Sequence, residues 1–307
     1  MKRNSFNIII FIHLIILLLY YFLHTSFIIE NIINYSISFF KNFFPVSFLL
    51  NIIIFLLLDY EFIPILSFIP NISTSFLLFI FSFFSGFPTG SKMVCEFLKK
   101  GYCSKDEANS YLYFSHFPNP FFILGVVSPI INNYLYTIYL YLSLILSNYI
   151  LYFFFSKKKR YSIIKPSFHN NFSISLNNSI QKSFSIILLV YGISLYFYII
   201  SILYHSFFPS NSYFYVLING FFDLTNGVIS SVVVKERVIR ALLILSFLSF
   251  GTISIHMQTS SILKEEGLSY SYYLKGRIMS LLLSILFFLL LVSIPASKMI
   301  FGFCRST

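Results

Sequence analysis

The chain is poor in charged residues, because Asp, Glu, Lys and Arg together make up only 10% of its 307 positions. About a quarter of the residues in ordinary soluble domains carry charge, so this scarcity excludes a soluble globular protein. Apolar residues make up 57%, and at ~20 residues per span they leave little chain outside a membrane. The apolar stretches also lack the ~10-residue alternation of outer-membrane strands. The sequence therefore predicts an all-α integral membrane protein without a separate soluble domain.

Motifs for catalysis and for metal binding are missing as well. The three cysteines, Cys95, Cys103 and Cys304, form neither a CxxC pair nor a zinc-type spacing with histidine. There is no HExxH, no GxSxG, no P-loop and no paired set of carboxylates. We therefore expect no enzyme activity, no metal centre and no cofactor, and ATP-driven transport would need a separate partner subunit.

Acidic residues are scarce relative to basic ones, with 10 Asp and Glu against 21 Lys and Arg and a formal charge of +11. In a soluble protein this excess would suggest nucleic acid. In a membrane protein, basic residues gather in cytoplasmic loops and meet anionic lipid headgroups. We therefore expect the lipid bilayer, and no nucleic acid, as the partner of these charges.

Two apolar segments are interrupted in a way that does not suit a simple crossing. Segment 62–84 ends in the run SGFPTG at 85–90, and segment 240–258 ends in a polar run. We interpret both as re-entrant hairpins that return to the side they came from. This choice places every Lys and Arg except Lys41, Lys298 and Arg305 on the cytoplasmic side, as the positive-inside rule requires.

The predicted architecture is about seven crossings plus two re-entrant hairpins, arranged as two related halves. Residues 1–155 form the first membrane half with a hairpin near 62–90, and residues 156–182 form a basic cytoplasmic linker. Residues 183–307 form the second half with a hairpin near 240–258. Gly86 and Gly251 begin similar polar tips, and Gly101 and Gly267 follow them at nearly equal spacing. Chance similarity in a sequence of such biased composition is the alternative.

Each half also contains a broken span with polar residues at membrane depth. In the first half, Pro118 and Pro120 interrupt a helix, because each removes a backbone donor and clashes with the preceding turn. In the second half, Asp223 lies within the apolar segment 213–234. A carboxylate at the centre of a span costs ~2.5–3.5 kcal/mol, so Asp223 is expected to face a partner or a wet cavity. The alternative is a hydrogen-bonded packing acid.

The candidate substrate-binding residues share a place in, or next to, a hairpin tip or a broken span. They are Gly86, Pro88, Gly90, Ser91, Lys92, Ser115, His116, Asn119, Thr225, Asn226, Gly227, Gly251, Ser254, His256 and Gln258. Asp223 is the candidate for binding a coupling ion. His116 and His256 are either proton carriers or packing residues, and Lys92 either meets an anion or begins the cytoplasmic loop. Unwound backbone is tolerated at membrane depth only where it lines a cavity, so this set indicates a transporter site.

Several ordered stretches carry the pattern of one family. They are GFPTGSK at 86–92 with the loop to Glu107, PNPFFILG at 118–125, DLTNG at 223–227, and SFG at 249–251 followed by SIHMQ at 254–258. Together they resemble the sporulation integral membrane proteins of the YlbJ type, which belong to the nucleoside-recognition (Gate) domain superfamily. The family usually has Glu where Asp223 stands, and small polar residues where His116 and Phe117 stand.

The resemblance implies a spore-forming bacterium, the outer forespore membrane, and import of dipicolinate from the mother cell toward the forespore. It also implies kinship with concentrative nucleoside transporters, whose hairpin tips and unwound helices hold the substrate at mid-membrane. Dipicolinate is a dianion with a pyridine ring, so Lys92, helix N-termini and the amides and hydroxyls of the candidate site suit it. Asp223 would repel this dianion unless the acid is protonated or holds a cation. Asp223 is therefore expected either to serve the coupling ion, sodium or a proton, or to orient the unwound backbone.

The expected function is a secondary transporter of a small anionic solute, with dipicolinate as the first candidate. Two alternatives stay open. One is a permease for nucleosides or other small solutes, and the other is a non-transporting membrane scaffold for a sporulation complex. The oligomeric state, including a homo-oligomer, stays open as well.

Overall fold

The computed structural model describes residues 2–67, 73–156, 171–205, 209–210 and 212–293. Every regular element in these ranges is a helix. In chain order the helices are α1 (Lys2–Leu23), α2 (Thr25–Asp59), α3 (Phe62–Ser67), α4 (Thr74–Ser85), α5 (Thr89–Lys99), α6 (Lys105–Tyr111), α7 (Pro120–Ile131), α8 (Tyr134–Phe155), α9 (Phe172–His205), α10 (Tyr213–Phe222), α11 (Leu224–Val233), α12 (Arg237–Phe250), α13 (Ile253–Glu265) and α14 (Tyr270–Ser293).

Five stretches of the described chain are long and apolar enough to cross a membrane. They are α2, α8, α9, α14, and α12 taken together with α13. Many large apolar side chains on the long helices face outward, as Leu49, Phe153, Leu188 and Leu282 do. Such extensive apolar exposure suits lipid and not water. The all-helical fold is therefore confirmed for the described residues, and its long apolar helices are those of an integral membrane protein.

The helices run between two ends of the bundle. At one end, which we call the lysine end, Lys100 and Lys182 lie 3.5 Å and 3.6 Å from the Asp59 carboxylate. At the other, the far end, Arg240 donates a hydrogen bond of 2.8 Å to the carbonyl of Ile130. Helix α8 begins just after Ile130, and its 22 residues at ~1.5 Å each cover ~33 Å.

Other contacts show which parts of the chain share the lysine end. Lys99 pairs with Glu266 at 2.6 Å, so the loops after α5 and α13 lie together. The ring of Tyr113 stacks on Phe155, the last residue of α8, with centroids 3.7 Å apart. Tyr113 also meets Tyr272 at the start of α14, at 5.8 Å. Helix α8 therefore runs from the far end to the lysine end, and α14 runs in the opposite direction.

A helical hairpin, made of α4 and α5 with a tip at 86–88, occurs close to the first predicted place. Along α4, Phe79 packs against Tyr152 of α8 and Phe83 against Tyr141, so this arm runs away from the lysine end. Helix α5 returns, because Lys100 directly after it lies at the lysine end. The second arm, α5, extends to Lys99 and is therefore longer than in the hairpin predicted near 62–90.

The hairpin predicted near 240–258 is absent, and this prediction is corrected. Helix α12 starts at the far end, where Arg240 is bonded to Ile130, and α13 finishes at the lysine end, where Glu266 pairs with Lys99. Gly251 has a φ of +93°, which ends α12 without reversing the chain. The two helices form one broken path from end to end. The basic residues at its start therefore lie at the end opposite to the one predicted.

The second hairpin lies one element earlier, where α10 and α11 meet at Asp223. Glycines let the two arms touch, because a β-carbon on Gly227 would lie 2.3 Å from the Cα of Gly220. The chain leaves this hairpin at the far end, where Arg240 Nε donates to the carbonyl of Val234 at 2.8 Å. Asp223 is thus the tip of a hairpin that approaches the middle of the bundle from the far end.

The two halves have the same order of elements and opposite directions. Each half has a long helix, a hairpin, a broken helix and a second long helix, from α2 to α8 and from α9 to α14. Helix α2 ends at the lysine end, whereas its counterpart α9 begins there. Equivalent helices pack on each other, α2 on α9 and α8 on α14. In this order of elements the tip at 86–88 corresponds to Asp223, whereas the sequence pairs it with Gly251, and the second half runs in the inverted direction.

The predicted linker at 156–182 is shorter than expected. Residues 157–170 lie outside the described residues, but 172–182 form the first turns of α9. The side chain of Asn171 accepts a hydrogen bond from the Ser173 N–H at 3.0 Å, which stabilises the start of this helix. Lys182 pairs with Glu96 at 2.9 Å, so this polar stretch packs on the first hairpin.

We expect the broken path of α12 and α13 to show in labelling experiments. In a chain whose native cysteines are replaced by serine, Asp106→Cys and Glu236→Cys mark the lysine end and the far end, because both positions are exposed. An impermeant maleimide should reach only one of them in sealed vesicles of uniform orientation. Detergent should make both reactive. If both cysteines were labelled from the same side, the result would support the hairpin predicted near 240–258.

Candidate functional site

Four chain interruptions meet at one small cavity of about 60 Å³ between the two halves. They are the tip at 86–88, the break before α7, the tip at Asp223 and the break before α13. The residues of these interruptions that line the cavity are Ser85, Phe87, Pro118, Asn119, Phe122, Asp223, Leu224, Thr225, Ser254, Ile255 and Gln258. The long helices add Tyr35, Phe39, Phe43, Ser47, Val190 and Ser194. A space of this size and polarity holds a few water molecules or one ion.

Asp223 is the one carboxylate that lines this cavity, and it is 2% exposed. Its side chain caps α11 by accepting the N–H of Asn226 at 3.1 Å, which explains why a helix starts here. The hydroxyls of Ser194 and Ser254 also hydrogen-bond to the carboxylate. These bonds offset part of the cost of burying a charge.

A small network of polar side chains from the second half lies beside Asp223. Gln258 Nε2 donates to Ser194 Oγ at 3.1 Å, and the hydroxyls of Thr252 and Ser254 lie 2.9 Å apart. The carboxylate is thus surrounded by hydroxyl and amide oxygens. Such a set of oxygen atoms is suited to holding a sodium ion or to passing a proton.

Five of the sequence-predicted residues line the cavity: Asn119, Asp223, Thr225, Ser254 and Gln258. Asn119 also caps α7, because its side-chain oxygen accepts the N–H groups of Phe121 and Phe122 at 2.7 Å and 3.2 Å. This cap gives α7 a defined start despite the two prolines. Part of the predicted set therefore lies around one cavity.

A second group of predicted residues joins the first hairpin tip to the break before α7. A β-carbon on Gly90 would lie 1.9 Å from the backbone oxygen of Ser115, so only glycine permits this approach. Ser91 hydrogen-bonds to His116, and Ser115 lies 3.3 Å from the other ring nitrogen of the same histidine. Gly86, with φ of +75°, fits against Asn119 in the same way. These residues dock the tip and do not face the cavity, and Pro88 belongs with them as the residue before α5.

The remaining predicted residues lie away from the cavity. Lys92 is 3.9 Å from Glu265 and does not line the cavity. Gly227 packs on Gly220, and Asn226 lines a separate cavity of about 500 Å³ beside the second hairpin. That cavity is polar, with Asn31, Tyr198, Asn219 and Ser230 in its wall. His256 and Gly251 face Tyr273.

Arg277 is a central residue that the sequence did not identify. It was assigned to a cytoplasmic loop, but α14 begins at Tyr270 and the side chain is 1% exposed. Its guanidinium donates to the carbonyls of His116 and Ser249 at 3.1 Å and 3.3 Å and to Asn148 Oδ1 at 3.0 Å. Broken helices leave carbonyls without helical partners, so the predicted breaks were the only signal for such a donor. Ser194 was missed because a serine in an apolar helix is not informative by itself.

No known protein family, curated protein or solved structure matches the chain. The fold and the site define the class to which it belongs: a helical integral membrane protein with two inverted halves and a buried polar cavity between them.

Proposed function

We propose that the protein is a secondary transporter of a small solute, and that dipicolinate, carried across the outer forespore membrane toward the forespore, is the first candidate. The observation that supports this proposal is the meeting of two hairpin tips and two helix breaks at one polar cavity. Discontinuous helices in two inverted halves, with a site at their interface, are typical of secondary transporters.

Energetics favour a transport site over a packing defect at this place. Each interruption removes helical hydrogen bonds in a region where lipid offers none in return. Four of them at the same depth, together with a buried carboxylate, would be costly without a function that uses the cavity.

The charge of the site constrains how an anion would bind. Among the described residues, no lysine or arginine lines the cavity, and Asp223 is the only carboxylate in its wall. Two like charges 4 Å apart repel by about 4 kcal/mol at an effective dielectric constant of about 20. A dianion therefore needs a sodium ion or a proton on Asp223. Its carboxylates would face the N–H groups at the start of α13, which has no side-chain cap.

The size of the cavity indicates a closed arrangement of the site. Pockets for small organic ligands usually measure about 300–1,000 Å³, well above 60 Å³. A solute enters only when a hairpin tip moves. The cavity of about 500 Å³ lies on the other side of the second tip, since Asn226 lines it and Asp223 lines the central cavity. This arrangement makes the second hairpin the nearest barrier between the two spaces.

A second candidate is a permease for nucleosides or other neutral small solutes. The absence of basic side chains from the cavity wall favours it, because a neutral solute needs no countercharge there. The hydroxyls and amides that surround Asp223 suit the polar edges of such a solute equally well.

Uptake into proteoliposomes tests the proposal directly. Purified protein is reconstituted, and labelled dipicolinate or uridine is supplied under an inward sodium gradient, an inward proton gradient, or neither. We expect one gradient to drive dipicolinate accumulation above the level in protein-free vesicles. Accumulation of uridine alone would support the permease. If neither solute accumulated under any gradient, transport by this site would be contradicted. The non-transporting membrane scaffold would then be the favoured function.

A further inference from the structure

Lys41 is an exposed lysine near the middle of α2, whose 35 residues are long and apolar enough to cross a membrane. Among the described residues, no carboxylate lies within ion-pair distance of its ammonium group. It lines neither the central cavity nor the larger one beside the second hairpin. A charged side chain in the middle of a span is costly, and it normally faces a wet cavity or pairs with an opposite charge. The charge of Lys41 therefore calls for a partner outside the described chain.

Lys41 lies close to the middle of the membrane. Phe39 and Phe43, on either side of it in the sequence, line the central cavity, so this turn of α2 lies at the depth of the cavity. At the same turn α2 crosses α9, where the ring of Tyr191 lies 5.1 Å from Phe39 and 5.3 Å from Phe40. Because α2 and α9 are equivalent helices of the inverted halves, they cross on the axis that relates these halves, which runs in the plane of the membrane. Half of a hydrocarbon core that is ~30 Å thick therefore separates Lys41 from either surface.

The exposed side of α2 is polar for several turns around Lys41. Asn34, Ser38 and Asn42 occur at helical spacing with it, and all three side chains are exposed or partly exposed. Asn42 Nδ2 donates a hydrogen bond of 3.3 Å to Ser38 Oγ across this surface. By contrast α9, the counterpart of α2, exposes Leu188 near its middle. Unlike a long lysine, short amides cannot extend to lipid headgroups, so this surface, which we call the Lys41 face, suits another helix better than lipid.

The acidic residues of the chain show which kind of helix fits the Lys41 face. All ten belong to the described residues, so the segments outside the described ranges contain no Asp or Glu. Asp223 is buried at the central cavity, Glu30 lies ~16 Å from Lys41 along α2, and the other eight lie near the lysine end or the far end. Copies of one chain in a closed ring are related by an axis along the membrane normal, so contacting residues lie at similar depths. A second copy therefore brings no carboxylate to Lys41.

We propose that the Lys41 face binds a membrane-spanning helix of a different protein, and that this helix carries an aspartate or glutamate near its middle. The carboxylate pairs with Lys41, while the amides of Asn34 and Asn42 donate hydrogen bonds to polar groups of the same helix. Polar groups that bond across helices in this way stabilise association within lipid. This interface does not depend on which solute the central cavity transports.

Energy transfer between the full-length protein and a synthetic transmembrane helix tests the proposal. The helix is a polyleucine segment with one central aspartate and lysines at both ends, and the reference helix has leucine at the central position. The purified protein, labelled with an acceptor dye, and each donor-labelled helix are reconstituted together in phosphatidylcholine vesicles at increasing ratios of helix to lipid. We expect the aspartate helix to reach half-maximal transfer at about one tenth of the density that the leucine helix needs, the order expected for one hydrogen-bonded pair in lipid.

Substitutions of Lys41 show whether this residue is the cause. Lys41→Met removes the charge and should abolish the preference for the aspartate helix, and it should fold normally because the side chain is exposed. Lys235→Met is the matched control, since Lys235 is exposed near the far end, and it should keep the preference. Lys41→Glu should reverse the preference, in favour of a helix with a central lysine.

Equal transfer to the aspartate and leucine helices by the wild type, or an unchanged preference in Lys41→Met, would overturn the proposal. Loss of the preference when phosphatidylglycerol is added would also contradict it, because Lys41 would then bind lipid phosphate. Energy transfer between two copies of the chain that depends on Lys41 would assign the Lys41 face to a second copy and so contradict a different protein as its partner.

Discussion

Asp223→Asn should insert and fold normally and yet fail to accumulate solute. Asparagine caps a helix about as well as aspartate, so the start of α11 is retained. The bonds from Ser194 and Ser254 have an amide oxygen to which they can still donate. What disappears is the negative charge that holds a sodium ion or the carboxylate that carries a proton. Uptake into proteoliposomes should fall to the level of protein-free vesicles, while the melting temperature stays close to that of the wild type.

Two further substitutions at position 223 separate the effect of the negative charge from the effect of the helix cap. Asp223→Glu keeps a carboxylate at a shifted position and should retain partial uptake. Asp223→Ala removes both functions and should also lose about 0.5–2 kcal/mol of stability with the cap. Asp106→Asn is the control for removal of one negative charge, since Asp106 is exposed at the lysine end. Uptake at the wild-type rate by Asp223→Asn under the same gradient would refute the coupling role.

Gly90→Ala should have the largest effect on stability. The new β-carbon would meet the Ser115 oxygen at 1.9 Å and the Ser115 carbonyl carbon at 3.1 Å. Both are backbone atoms and cannot rotate away, so the first hairpin tip must lift from the broken span. Overpacking costs about 1–3 kcal/mol where side chains can adjust, and here we expect a loss at or above the top of that range. The level of protein in membranes and the melting temperature measure it.

Gly192→Ala is the matched control for this substitution. Gly192 lies within α9, and a β-carbon there would meet nothing within 4 Å. Alanine favours helix by about 1 kcal/mol over glycine, so this variant should be as stable as the wild type or slightly more stable. If Gly90→Ala melted at the same temperature as Gly192→Ala, the docking of the tip on Ser115 would be wrong.

The sequence was sufficient to find the interruptions but not to tell a hairpin from a break. Gly251 and the glycines near Asp223 all interrupt apolar segments, and no local pattern shows which chain reverses. Gly251 stops a helix through its positive φ, whereas Gly220 and Gly227 bring two backbones into contact. The positive-inside rule favoured the wrong segment, because it assigned the charge of Arg240 to a cytoplasmic loop. In the structure this side chain satisfies backbone carbonyls at the far end.

The sequence predicts a site residue only where placing its charged or polar group at membrane depth costs much free energy. The sequence identified Asp223 because burying a carboxylate in a membrane span is costly. In the structure Asp223 lines the cavity. Gly90, Ser91 and His116 were assigned to substrate because they flank an interruption, but they serve the docking of the broken segments on each other. Whether a polar residue binds substrate or docks one broken segment on another depends on its tertiary neighbours. These neighbours cannot be predicted from one sequence.

The position of Arg277 near the end of the chain has a consequence for how the protein is made. The carbonyls of His116 and Ser249 and the Asn148 amide oxygen are synthesised well before the arginine that satisfies them. During insertion these groups lack their arginine partner until α14 is added. Until then, water or the translocation machinery provides their hydrogen bonds. A chain that lacks α14 would therefore carry unsatisfied polar groups in its centre.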